Sequence, residues 1–407
     1  MTMEKKKVPE IRLEGYEGEW ESCELKEIAT FSKGKGYSKA DLVPAGNPII
    51  LYGRMYTNHE IIISDVDTFA VPKKNSVCSR GGEVIVPASG ESAEDISVAS
   101  VVKNPDILLG GDLNIISPNK NIDPAFLALV ISYGNAHDDM AKMAHGKTVV
   151  HLHNDDLEQV QFIHPQYDEQ LAISSYISSI DTVIKCQQER HTKLLALKKS
   201  LLQKMFPQKG ESTPRIRFEG FDGEWEKKKL GDLYECNNER NVNKNIGFDK
   251  TISVATMNYK EDGNGAALDS LATYKILRLG DIAFEGHTNK EFLYGRFVLN
   301  DIGDGIMSPR FSALRPKKIF PISFWKYYIH HEPIMRKILV NSTKTGTMMN
   351  ELDIDDFLEQ VIYVPGDDEQ KTIGEYFDNL DILIDTQEKK ITKLQQMKTA
   401  LLQKMFV

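Results

Sequence analysis

Two loops near the N-terminus combine side chains that read or hold nucleic acid. The run 32–39 sets Lys33, Lys35 and Lys39 beside Tyr37 among glycines, and the run 52–59 crowds Arg54, Asn58 and His59 between Tyr52 and Tyr56. Arg, Lys and Asn make paired hydrogen bonds to base edges, whereas Lys, Ser and backbone N–H groups hold phosphates. Lys73, Lys74 and Arg80 add a basic cluster to the same half of the chain. The other half offers Asn258 and Lys260 in one loop, and His287, Asn289 and Lys290 in another. Two further polar loops, with Lys147 and Thr148 in one and Lys344 and Thr345 in the other, are candidate phosphate contacts. Any one of these loops could be an ordinary solvated turn. Their occurrence in both halves favours a role in nucleic-acid binding over plain turns.

Other chemistries find less support. Residues 141–148 differ from a P-loop only by Ala141 in place of its first glycine, but that motif needs a strand before it and a helix after it. Here a helical stretch comes first. His145, His151 and His153 could converge on a metal, yet the second half replaces the latter two with Leu352 and Ile354, which favours surface histidines. His330 and His331 read the same way. No Gly-x-Ser-x-Gly elbow and no dinucleotide fingerprint occurs. A non-catalytic chain is expected, with no metal and no cofactor of its own.

Composition narrows the class further. The 407 residues exceed one ordinary core and carry a net charge of −9, which argues against clinging to nucleic acid by bulk charge. Affinity must then be local, or supplied by a more basic partner. The four cysteines, Cys23, Cys78, Cys186 and Cys236, include no CxxC pair, so neither a zinc site nor a disulfide framework is indicated. With no membrane-length apolar run and no secretory signal in the first nine residues, a cytoplasmic protein is expected.

The loops need a scaffold, and the sequence repeats one. Residues 165–206 read as a long amphipathic helix that is written again at 365–406, both copies opening with Asp-Glu-Gln and closing with Leu-Leu-Gln-Lys-Met-Phe. Apolar residues at heptad steps form a seam: Ile173, Ile177, Ile180, Ile184, Leu194, Leu201 and Met205, then Ile373, Phe377, Leu380, Ile384, Ile391, Leu394, Leu401 and Met405. Such a helix, about 57 Å long, requires a partner, and the other copy is the natural one. A leader ending in Gly-Glu-Trp also recurs, at 8–20 and 213–225. Between leader and helix lie short strand-like runs whose landmarks (Gly82 and Gly280, Pro118 and Pro316, Phe126 and Phe324) share a spacing of 198. The expected segments are a first β-rich domain at 1–165, a helix at 166–206, a second β-rich domain at 207–365 and a helix at 366–407.

This order of leaders, β-rich domains and repeated helices resembles the DNA-specificity subunit of type I restriction-modification enzymes. The resemblance covers essentially the whole chain and rests most on the two helix motifs, with 51–57 as a further similar loop. It implies an α+β fold in which two target recognition domains are joined by two long antiparallel coiled-coil helices with pseudo-twofold internal symmetry. It further implies double-stranded DNA as ligand, with each domain reading half of a bipartite asymmetric site. Two methyltransferase subunits and restriction or translocase subunits are the implied partners, and S-adenosylmethionine, ATP and Mg belong on them. A solitary DNA-binding or anti-restriction protein of the same fold remains the alternative, and a scaffold with carbohydrate-binding β domains a remote one.

Overall fold

The computed structural model describes residues 7–146, 149–208, 210–260, 265, 267–346 and 349–407. Contacts divide the chain into two compact units, Met1–Gln187 with Lys390–Val407, and Gln188–Lys389. Each unit therefore holds one β-rich domain and half of each long helix. The central helix spans Tyr167–Met205 and the terminal helix Asp367–Met405, 39 residues each. Among the described residues no helix is long and apolar enough to cross a membrane.

The first domain is built on a five-stranded sheet in the order Ala29–Lys33, Leu113–Pro118, Glu83–Pro87, Ser100–Val102, Ile62–Ile63, antiparallel except for the last pair. A four-stranded sheet follows the order Leu108–Leu109, Asn47–Ile50, Phe69–Ala70, Leu42–Val43. The second domain repeats the first three strands of the larger sheet as Tyr234–Cys236, Ser312–Pro316 and Ile282–Glu285, then adds Arg296–Leu299. Strands expected around 83–86, 114–116, 281–284 and 311–314 all form. The runs at 83–86, 114–116 and 281–284 carry β-branched or aromatic residues and are bounded by turn residues, as a buried strand requires.

Helix ends close the domain cores. In the first unit Ile173 and Ile177 of the central helix pack with Trp20, Phe126 and Phe162, and the same cluster takes in Leu402, Met405 and Phe406 from the end of the terminal helix. In the second unit Ile373, Phe377 and Leu380 pack with Trp225, Phe324 and Tyr328, joined by Met205 and Phe206. The start of one helix lies against the end of the other, so the pairing is antiparallel in both units. One ion pair is made twice: Asp181 with Lys398, and Lys198 with Asp381, residues related by the 200-residue repeat.

Of the expected seam, Ile173, Ile177, Ile184, Phe377, Leu380 and Ile391 are buried, while Ile180, Leu194, Leu201, Ile384 and Leu394 are half-buried. The apolar gap between Ile184 and Leu194 is filled by Gln187 and His191, which keep the heptad spacing with half-buried polar side chains.

The Asp-Glu-Gln motifs hold the leaders. Arg12 makes a bidentate pair with Glu169 and donates to the Gly18 carbonyl, while Arg217 does the same with Glu369 and Gly223. Gln170 and Gln370 donate from Nε2 to the carbonyls of Pro165 and Pro365, both at 2.9 Å. Leader amides of Ile11 and Ile216 bond the carbonyls of Lys404 and Lys204, satisfying groups that helix ends leave open.

His330 and His331 depart from the expected surface placement. His330 Nδ1 lies 2.8 Å from the Phe297 carbonyl oxygen, and His331 is buried against the Phe206 ring at 5.4 Å. The sequence pairs them with no apolar pattern, but the turn at 329–330 drops His331 into the core between two helices. Its Nε2 has no hydrogen-bond partner among the described residues, and burial pushes its pKa down to about 4. The unfolded imidazole titrates near its ordinary 6.5. The unfolded chain thus binds the extra proton, and the neutral folded form is favoured above pH 6.5. Stability of the second domain is expected to fall as pH drops from 6.5 towards 4, by up to about 3 kcal/mol. Thermal melts across that range should show the slope for the wild type and a flatter one for His331→Gln.

Candidate nucleic-acid interface

Strand direction decides which loops meet. In the first domain Asn114 pairs with Lys33 and Leu113 with Pro87, so the loops following residues 33 and 87 and the loop preceding 113 emerge at one edge of the sheet. Their approach is close. A side chain on Gly34 would place its Cβ 1.9 Å from the Gly110 carbonyl oxygen, so only glycine fits. The amides of Gly34 and Lys35 bond the carbonyls of Leu113 and Leu109.

This packing sorts the first-domain candidates. Tyr37 is buried, its hydroxyl accepting from the Lys73 amide at 2.8 Å and meeting Ser76 Oγ at 2.6 Å. Lys73 Nζ bonds the Gly36 carbonyl and Asp41, tying the 33–37 loop to the 71–76 turn. Arg54 is held by Glu60, Asp67 and the Asp65 carbonyl. Asn58 donates to Glu60, the Tyr56 hydroxyl donates to the Ser89 carbonyl, and His59 Nε2 meets the Ala99 carbonyl oxygen. Burial lowers the His59 pKa and raises that of Tyr56. These side chains shape the loops from within.

Lys33, Lys35 and Lys74 stay exposed, with Lys33 and Lys35 at the loop edge. Arg80, also exposed, precedes the Glu83–Pro87 strand and so sits at the opposite edge, where its amide caps Glu83. Lys147 and Thr148 lie outside the described residues. The His145–His151 bridge stands beside the loop edge because Val150–His151 pairs with Ser89–Gly90. His145, His151 and His153 are exposed.

The second domain gathers its loops the same way. His287, Asn289 and Lys290 follow the Ile282–Glu285 strand, all exposed, with Asn289 Oδ1 closing the turn on the Glu291 and Phe292 amides. His287 Nδ1 stands 3.6 Å from Glu285. The Thr343–Lys344 and Glu351–Leu352 hairpin joins them through the Asn350 amide, which bonds the Gly286 carbonyl at 2.9 Å. Lys344 is paired with Asp353, and Thr345 is exposed. Asn258 and Lys260 stand elsewhere, on a strand of the other four-stranded sheet.

Between these loops lies a cleft of about 460 Å³, lined by Gly286, Arg310, Ser312, Asn350 and Glu351 with Phe284, Phe311, Met349 and Leu352. Arg310 was not among the sequence candidates. A lone arginine after Ser308-Pro309 has no motif around it, and only the fold shows that it faces a cleft.

Comparison with known proteins agrees with this architecture. The family model described as the type I restriction modification DNA specificity domain matches residues 17–217 and again 222–396. The specificity subunit of the type I restriction enzyme MjaIX of Methanocaldococcus jannaschii is 22% identical over 335 residues, covering 77% of this chain and 75% of that protein. Among solved structures, the type I restriction-modification S subunit from M. genitalium aligns with a TM-score of 0.57 at 14% identity, over 98% of this chain and 99% of its own. A chain from work on assembly and conformational transition of the type I R-M system aligns at 0.55 with 15% identity, over 95% and 97%. At such identities the structural matches speak for the fold alone. With two copies of its model spanning nearly all of the sequence, the chain belongs to the type I restriction-modification DNA specificity family.

Proposed function

We infer that this chain is the sequence-recognition subunit of a type I restriction-modification complex. Each β-rich domain reads one half of a bipartite, asymmetric site on double-stranded DNA. The observation that carries this is one scaffold built twice with different loops at the same sheet edge: Lys33 and Lys35 in the first domain, His287, Lys290 and Arg310 in the second. Identical loops would favour a symmetric site; different loops favour an asymmetric one. The chain supplies recognition, and methyl transfer and cleavage belong to partner subunits in the cytoplasm.

The helices support the partner assignment. Val183 and Leu383 are exposed, as are Leu197 and Met397, and both pairs are related by the 200-residue repeat. Apolar positions left open twice over suit two identical partners, which we assign as methyltransferase subunits carrying S-adenosylmethionine. Restriction subunits, with ATP and Mg, join the same complex. A net charge of −9 fits a chain that leaves most phosphate contacts to those partners.

Helix length then sets the gap between half-sites. Removing 187–193 together with 387–393 takes one heptad from each helix and keeps the seam in register. The gap is expected to shrink by about 10 Å, roughly three base pairs, with both half-sites unchanged. Mapping methylated motifs in cells carrying the shortened chain checks this; an unchanged gap with an altered half-site would refute it.

A further inference from the structure

The two domains differ in charge at one matched place. Arg310 and Asp112 each stand two residues before Ser312 and Asn114, which pair with Phe284 and Val86 at the same point of the shared sheet. Both are exposed, and neither makes an ion pair or side-chain hydrogen bond with the described residues. That is unusual for an arginine of this domain. Arg278, Arg296, Arg315 and Arg336 are all paired with carboxylates, and Arg240 bonds the Thr273 carbonyl.

The surroundings of Arg310 are equally particular. It lines the 460 Å³ cleft with Asn350, Ser312 and Glu351, while Phe311 and Met349 give that cleft an apolar wall. The Glu351 carboxylate in the same lining would repel a phosphate, whereas a base edge, which offers donors as well as acceptors, suits a guanidinium beside amide, hydroxyl and carboxylate groups. The strands below are common to both domains, so arginine in one and aspartate in the other present opposite hydrogen-bonding character from the same point of the sheet.

We propose that this matched position reads a base in each domain. Arg310 donates its two parallel N–H groups to O6 and N7 of a guanine in the second half-site. Asp112 accepts from the N4 amino group of a cytosine in the first. The proposal rests on the recognition function inferred above and adds the residue, the base and the half-site.

The test is methylation mapping in cells that express the full chain with its methyltransferase. Arg310→Ala is expected to lower discrimination at one guanine of the second half-site by about 5- to 150-fold, leaving the first half-site and the gap intact. Asp112→Ala should do the same at one cytosine of the first half-site only. Arg310→Lys keeps the charge but loses the paired donors, and discrimination should stay low. An unaltered motif in Arg310→Ala overturns the proposal, as does an intact motif methylated more weakly at every site, the mark of a phosphate contact. Unchanged melting temperatures confirm that the variants fold. A wild-type map without any bipartite motif would instead end the functional reading itself, and this assignment with it.

Discussion

Replacing Phe406, the penultimate residue, with alanine is expected to destabilise the N-terminal domain by about 3–5 kcal/mol, the usual cost of deleting a buried aromatic. Phe406 sits in the cluster of Trp20, Phe126 and Phe162, its ring 6.0 Å from that of Phe126. Its repeat mate acts on the other unit. Phe206 is fully buried among Phe324, Tyr328, His331 and Phe377, with ring centroids at 5.3 to 6.0 Å, so Phe206→Ala should cost the second domain a similar amount. Hydrogen exchange resolved by segment separates the two. Phe406→Ala should lose protection in strands between residues 21 and 164, and Phe206→Ala between 226 and 364. Unchanged protection between 21 and 164 in Phe406→Ala would show that the helix end does not close the first core.

Arg12→Ala should weaken the first unit by about 3–5 kcal/mol, most of it from the Glu169 carboxylate left buried without a counterion. Glu169 has 3% of its side chain exposed, and Arg12 holds both of its oxygens at 2.7 Å. Arg217→Ala does the same to Glu369, where the bonds are 2.6 and 2.7 Å. The double variant Arg12→Met with Glu169→Leu removes the buried charge along with its partner and should recover most of the loss. Urea denaturation of the single and double variants measures both, and a double variant as unstable as Arg12→Ala would point to lost packing instead.

These two cases bear on what could be read in advance. The heptad seam and the closing Met-Phe were visible because amphipathic spacing repeats along a single segment. The strands at 83–87 and 282–285 were visible for the same reason, since their apolar runs are bounded by their own turns. The Asp-Glu-Gln motif was visible as a repeat but not as a set of contacts. Glu169 meets Arg12 across 157 residues, and no local pattern encodes such a meeting. His331 misled because its burial depends on what the turn at 329–330 faces.

Among the loops the same limit applied more strongly. Arg54, Asn58 and Tyr56 have the composition of base readers, yet they bond Asp67, Glu60 and the Ser89 carbonyl of their own domain, because packed loops satisfy polar groups with neighbouring protein before solvent or ligand can. Lys33 and Lys35 are exposed and make no ion pair with the described residues, and Arg310 faces a cleft that no motif announces.

The sequence by itself determined the repeat, the element types and the partner of each helix, since these follow from periodicity and spacing within a segment, while the antiparallel sense and the family were implied by the likeness of the whole order to a known family. Tertiary structure decided that each compact unit borrows half of both helices, which loops share a sheet edge, and which of their charges remain unpaired. Those depend on groups brought together from distant parts of the chain, where packing and electrostatics choose partners that local order does not specify.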